Sequence, residues 1–123
     1  MKYLISISLI FSFNFIYSDT TITAFSNVHH FFGNSGNNRT LIENVEFPLS
    51  NDGYSEIIMN ISLECPNGGC DPWDRKANIS IKQFGNWFEI GRYVTPYGIG
   101  CGWSYNVTDY RSILKGSVEI KSY

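Results

Sequence analysis

Thiols, carboxylates, an indole and a guanidinium stand together in one short run, Cys65-Pro66-Asn67-Gly68-Gly69-Cys70-Asp71-Pro72-Trp73-Asp74-Arg75. Pro66-Asn67-Gly68 is turn chemistry. A turn between cysteines this close brings their Cα atoms within reach of a disulfide. The rival use of the thiols is a metal site, for which His29 and His30 complete a Cys₂His₂ set on paper. Adjacent histidines rarely bring both rings onto one ion, and the spacing fits no zinc pattern. The reading is therefore a local disulfide between Cys65 and Cys70, no metal and no cofactor, with His29 and His30 as ordinary surface residues. Cys101 is left over, which points to a buried thiol or to a partner outside the chain. Past the disulfide, Asp71, Trp73, Asp74 and Arg75 crowd together. A carboxylate there can serve as a general base toward water. It can equally form an Asp–Arg pair beside a Trp73 that plugs the core. Residue types leave both uses open.

The elements that must hold this run read as short strands. Ile57, Met59, Ile61 and Leu63 alternate with Ile58, Asn60, Ser62 and Glu64, a period of two with one apolar face. Ala77, Ile79 and Ile81 repeat the pattern after the cysteine loop. Gly85-Asn86 turns the chain, and Trp87 to Thr95 continues as strand with Phe88, Ile90 and Val94 expected on one face. Trp103, Tyr105 and Val107 alternate again, and Val118 and Ile120 lead a last strand. Thr20–Phe25 and Thr40–Phe47 are further strand candidates, with Val28–Asn38 as a loop between them. Asp109–Lys115 is the one helix-like piece, with Thr108 or Asp109 to cap its start and Gly116 its end. Short strands with turn signals between them, and no βαβ pattern, predict an all-β, antiparallel β-sandwich with one short helical turn. The final strand runs to Tyr123, so the expectation is a sandwich missing its last strands, with an edge left for a second piece to complete.

Met1–Ser18 reads as a secretory signal peptide. Lys2 is the positive start, Tyr3–Ile16 the apolar stretch and Ser18 the small residue before the cut. The run is shorter than the roughly 20 apolar residues of a spanning helix and is interrupted by serines. The expectation is a secreted domain of residues 19–123, in a compartment where disulfides persist. The net charge of −2 and the lack of a basic cluster argue against nucleic acid as a partner. No other stretch suits a membrane. Aromatic residues make up 16% of the chain, and exposed rings among them would suit the flat faces of sugars. The sequons at Asn38, Asn60, Asn78 and Asn106 carry little weight in a chain this rich in Asn and Ser.

Three blocks resemble the N-terminal domain of the peptide-N-glycosidase F family. They are Cys65-Pro66 … Cys70-Asp71-Pro72-Trp73-Asp74-Arg75-Lys76-Ala77-Asn78, Trp87-Phe88-Glu89-Ile90-Gly91-Arg92-Tyr93-Val94-Thr95-Pro96-Tyr97, and Val107 to Gly116. Their order and approximate spacing match as well. The resemblance implies a jelly-roll sandwich that stands beside a second one. It implies hydrolysis, without a metal, of the amide joining N-acetylglucosamine to an Asn side chain. It also implies that Asp74 is the catalytic carboxylate, that Trp73 and Arg75 border the sugar cleft, and that Tyr97 lines it. The family's supporting acids fall beyond Tyr123. The loop from Gly98 to Trp103 is shorter here and carries Cys101. Two functions follow as expectations. One is the N-terminal domain or fragment of a secreted glycoasparagine amidase acting on N-glycans. The other is a stand-alone sandwich that binds carbohydrate or protein without turnover.

Overall fold

The computed structural model describes residues 19–33 and 36–123. The signal-peptide reading of Met1–Ser18 lies outside them. The chain forms β1 (Phe31–Gly33), β2 (Gly36–Asn38), β3 (Leu41–Phe47), β4 (Ile58–Leu63), β5 (Lys76–Gln83), β6 (Asn86–Val94) and β7 (Cys101–Asn106). A 3₁₀ turn (Thr108–Tyr110) and β8 (Gly116–Ser122) follow. All the strand pairs are antiparallel. One sheet has the order β3-β8-β5-β6, a second consists of β4 and β7, and β1 and β2 form a separate hairpin.

The two larger sheets close over a core of Val45, Ile79, Ile81, Ile90, Tyr93, Val107, Leu114, Val118 and Ile120. Met59, Ile61 and Leu63 of β4 and Trp103 and Tyr105 of β7 pack onto it. Period-two alternation therefore sets the inward faces of β4 and β7, as expected. The contact between sheets is close at β6. The rings of Tyr93 and Trp103 lie 4.7 Å apart, and the Tyr105 hydroxyl donates to the Arg92 carbonyl at 2.7 Å.

Strand β6 departs from the expected face. Its pairing with β5 steps from Ile79↔Gly91 to Ser80↔Glu89, so Ile90 is an extra residue in the ladder. Such a bulge reverses side-chain parity along the strand. Ile90 and Tyr93 are buried, whereas Val94, beyond the bulge, is 49% exposed; Phe88 stays opposite the fully buried Ile81 but is 47% exposed. Alternation alone placed Phe88, Ile90 and Val94 together.

Three other expectations are corrected. Thr20–Phe25 forms no strand, although Ile22, Ala24 and Phe25 pack on the core. The Val28–Asn38 loop contains the β1–β2 hairpin. Asp109–Lys115 is not a helix beyond the 3₁₀ turn; turns follow it, and the buried Asn51 side-chain amide donates to the Arg111 and Leu114 carbonyls at 2.9 and 2.8 Å. Nor does Thr108 or Asp109 cap that turn by side chain. Val107 is the cap residue, and the Thr108 hydroxyl accepts instead from the Ile57 amide. Gly116 closes the segment at a left-handed φ of 64°.

The last strand is not an edge. β8 lies between β3 and β5, and Tyr123 exchanges backbone bonds with Asn78. Among the described residues the open edges of the two sheets that close over the core belong to β3, β6, β4 and β7.

His30 is likewise no ordinary surface residue. Its Nε2 shares a hydrogen bond of 2.8 Å with the buried Ser122 hydroxyl, which joins the N-terminal segment to the end of β8. Burial lowers the pKa of His30, with backbone carbonyls at Arg39 and Asn38 pulling the other way. A lowered folded-state value favours the neutral ring. The stability it contributes is complete above the ordinary value near 6.5 and is lost as pH falls through the lowered one. Chemical denaturation at pH 7.5 and pH 5 is expected to show weaker folding at the acid end, and His30→Gln is expected to flatten that dependence.

Candidate functional site

The sequence between β4 and β5 folds as two linked turns. Gly69 donates to the Pro66 carbonyl at 2.9 Å, with Gly68 and Gly69 at left-handed φ values of 106° and 100°. Only glycine takes such angles without strain. This turn brings Cys65 and Cys70 to a Cα separation of 4.5 Å, and the two are disulfide-bonded. Cys101 is a free thiol opposite Leu63 at the start of β7, and burial raises its pKa, which disfavours the thiolate.

The second turn is built on Asp71. Its Oδ1 accepts from the Trp73 amide at 2.9 Å, an Asx turn around Pro72. Its Oδ2 accepts from Arg75 Nε, also at 2.9 Å. The Arg75 guanidinium first and the Trp73 amide second hold the Asp71 carboxyl below its ordinary pKa. The side chains of this pair are 54% and 47% exposed, so the pair adds at most about 1 kcal/mol to stability. Its value is geometric.

A second loop, 95–100, is tied to the first. The Arg75 amide donates to the Thr95 hydroxyl and the Thr95 amide to the Arg75 carbonyl, each at 2.8 Å. The Gly98 amide donates to the Asp71 carbonyl at 3.1 Å. The far end of this loop is equally constrained: a Cβ at Gly100 would lie 2.7 Å from the Leu63 carbonyl oxygen. Trp73, Asp74, Arg75 and Tyr97 therefore share one surface formed by two cross-linked loops at the end of the β5–β6 pair.

The residues on that surface resolve the alternatives left open by sequence. Trp73 is 63% exposed and Tyr97 65% exposed, so Trp73 is not a core plug. The Asp–Arg pair exists, but its acid is Asp71. Asp74 is exposed and has no hydrogen-bond or ion-pair partner among the described residues. The other charged pair of the resembling blocks, Glu89 and Arg92, is closed on itself through two contacts of 2.9 Å. Sequence reasoning missed Asp71 and Thr95 as the residues that join the two loops. The Asp-Pro-Trp order was the available signal for an Asx turn; nothing local announced Thr95. Among the described residues no group of three His, Cys, Asp or Glu side chains is assembled for a metal.

No family model matches the chain. It is similar to the peptide-N(4)-(N-acetyl-β-D-glucosaminyl)asparagine amidase F of Elizabethkingia miricola, at 39% identity over 109 residues. That match takes in 83% of this chain and 30% of the relative. A crystal structure of a peptide-N(4)-(N-acetyl-β-D-glucosaminyl)asparagine amidase superposes with a TM-score of 0.76 at 38% identity, covering 83% of this chain and 35% of that one. The glycosylasparaginase PNGase F from Flavobacterium meningosepticum gives 0.72 at 37% identity, covering 84% and 35%. The chain thus spans about a third of the length of the relatives it matches, and it shares their fold over that third.

Because the disulfide closes the turn that precedes Asp71, replacing Cys65 and Cys70 with serine is expected to destabilise the domain by about 2 kcal/mol in the chain-entropy view. Denaturant melts of the oxidised protein and the double variant measure this directly.

Proposed function

We propose that this chain supplies the carboxylate-bearing part of a peptide-N4-(N-acetyl-β-glucosaminyl)asparagine amidase, an enzyme that hydrolyses the side-chain amide of a glycosylated Asn and frees the N-glycan. The observation that carries the reading is the unpartnered Asp74 carboxylate, exposed on the disulfide-braced loop within the third of the chain shared with amidase relatives. An amide resists neutral water. Asp74 acts as the general base or orients the attacking water. Trp73 and Tyr97 offer ring faces to the sugars, and the outer nitrogens of Arg75 are available as donors to them. Stabilising the oxyanion and protonating the departing amine require further groups. A second β-sandwich with its own acids supplies these, which leaves the present chain inactive by itself. Export after removal of Met1–Ser18 belongs to the same proposal and rests on the composition of that leader.

A reading as a binding module without turnover is favoured by one observation, the exposure of Trp73 and Tyr97. It predicts glycan binding that is indifferent to Asp74.

The chain alone is expected to release no glycan from a denatured glycoprotein. A chimera carrying residues 19–123 in place of the matching third of the Elizabethkingia miricola amidase is expected to release it. In that chimera Asp74→Asn should lower release about 100-fold or more while leaving the melting temperature within a few degrees. Release that survives Asp74→Asn, with glycan binding intact, would favour the binding module. For export, N-terminal sequencing of protein recovered outside the producing cell is expected to start at Asp19; a retained Met1 would refute the leader.

A further inference from the structure

We infer that Asp71 is a positioning residue whose task is to hold the Arg75 guanidinium away from Asp74. This rests on the reading of Asp74 as the working carboxylate. Arg75 is the immediate chain neighbour of Asp74, and its long side chain carries a cation able to pair with a carboxylate. A carboxylate locked in a fork with a guanidinium gives up the lone pairs that a general base needs.

Arg75 is held at three points, none of them on Asp74. Its amide and carbonyl are clamped by Thr95, and Nε is bound by Asp71 Oδ2 at 2.9 Å. The same Asp71 carboxylate uses Oδ1 to fix the Trp73 amide, which sets the backbone leading into Asp74. Its carbonyl receives Gly98 from the loop that carries Tyr97. One residue thus orients the ring, the cation and the second loop. Because the Asp71–Arg75 pair is about half exposed on both sides, it is poorly placed to serve as a stabilising bridge. Binding through Nε leaves the two outer nitrogens of Arg75 pointing elsewhere, so the cation remains usable for a ligand while it is withheld from its neighbour.

The inference predicts an exchange of partners. In Asp71→Asn the oxygen that caps Trp73 remains, but the anion that holds the guanidinium is gone, and Arg75 turns to Asp74. Carbon-detected NMR of the 123-residue chain follows this without any assay of hydrolysis. The Asp74 carboxyl carbon and the Arg75 Nε resonance are expected to move together in Asp71→Asn. In Asp71→Asn combined with Arg75→Gln, the Asp74 carbon is expected to return to its position in the unmutated chain. Asp71→Ser, which also keeps an oxygen for the Trp73 amide, repeats the measurement should the asparagine variant fold poorly. A loss of fold alone would not produce this dependence on Arg75. An Asp74 carbon that stays put in the folded single variants, or that moves equally with Arg75 replaced, would overturn the inference. The outcome is separate from the enzymatic reading: glycan release that survives Asp74→Asn refutes the amidase proposal and leaves the partner exchange standing or falling by itself.

Discussion

The pairing of β5 with β6 is the constraint on which the rest of the molecule depends. β5 is held on one side by β6 and on the other by β8, and Ile81 within it has no solvent exposure. The same ladder ends at Lys76↔Val94, and the loops leaving those two residues carry the whole candidate site. Core and site are therefore not separate constructions. The hydrophobic burial that fixes β5 against its neighbours also fixes where Arg75 and Thr95 meet, and the Thr95 amide on the Arg75 carbonyl, with the Arg75 amide on the Thr95 hydroxyl, ties the two chains one step beyond the ladder.

That arrangement explains how an exposed surface keeps a defined shape. Side chains such as Trp73 and Tyr97 gain little from packing, so their placement comes from the main chain. The disulfide, the Asx turn at Asp71 and the close approach of Gly100 to Leu63 each remove freedom from a different part of the two loops. Ionic attraction at this degree of exposure is too weak to stabilise much, but it is directional enough to choose among side-chain conformations.

Much of the fold was legible because alternation follows directly from burial. β4 and β7 face one sheet only, and Met59, Ile61, Trp103 and Tyr105 mark that face without ambiguity. β6 was not legible in full, since one bulged residue at Ile90 shifts the parity and no residue type there announces it. The β1–β2 hairpin was hidden for a different reason. Its strands are three residues each and rich in Gly and Asn, which locally read as a turn. At the site, the Cys65–Cys70 bond follows from a short spacing and a turn, so sequence suffices. Which aspartate pairs with Arg75 does not follow, because the choice depends on Thr95 and Gly98 arriving from a loop some twenty residues away.

The short span of the disulfide also bears on the order of events during maturation. Cys65 and Cys70 are five positions apart, whereas Cys101 lies well downstream and meets the neighbouring strand only once β4 and β7 have paired. Contact across so few residues recurs on a timescale of tens of nanoseconds in an unfolded chain. Oxidation of this pair thus needs no tertiary structure and is far more frequent in encounter than any bond to Cys101. In the unfolded chain Cys101 is therefore the less frequent partner by distance alone, and the turn that precedes Asp71 enters folding already closed.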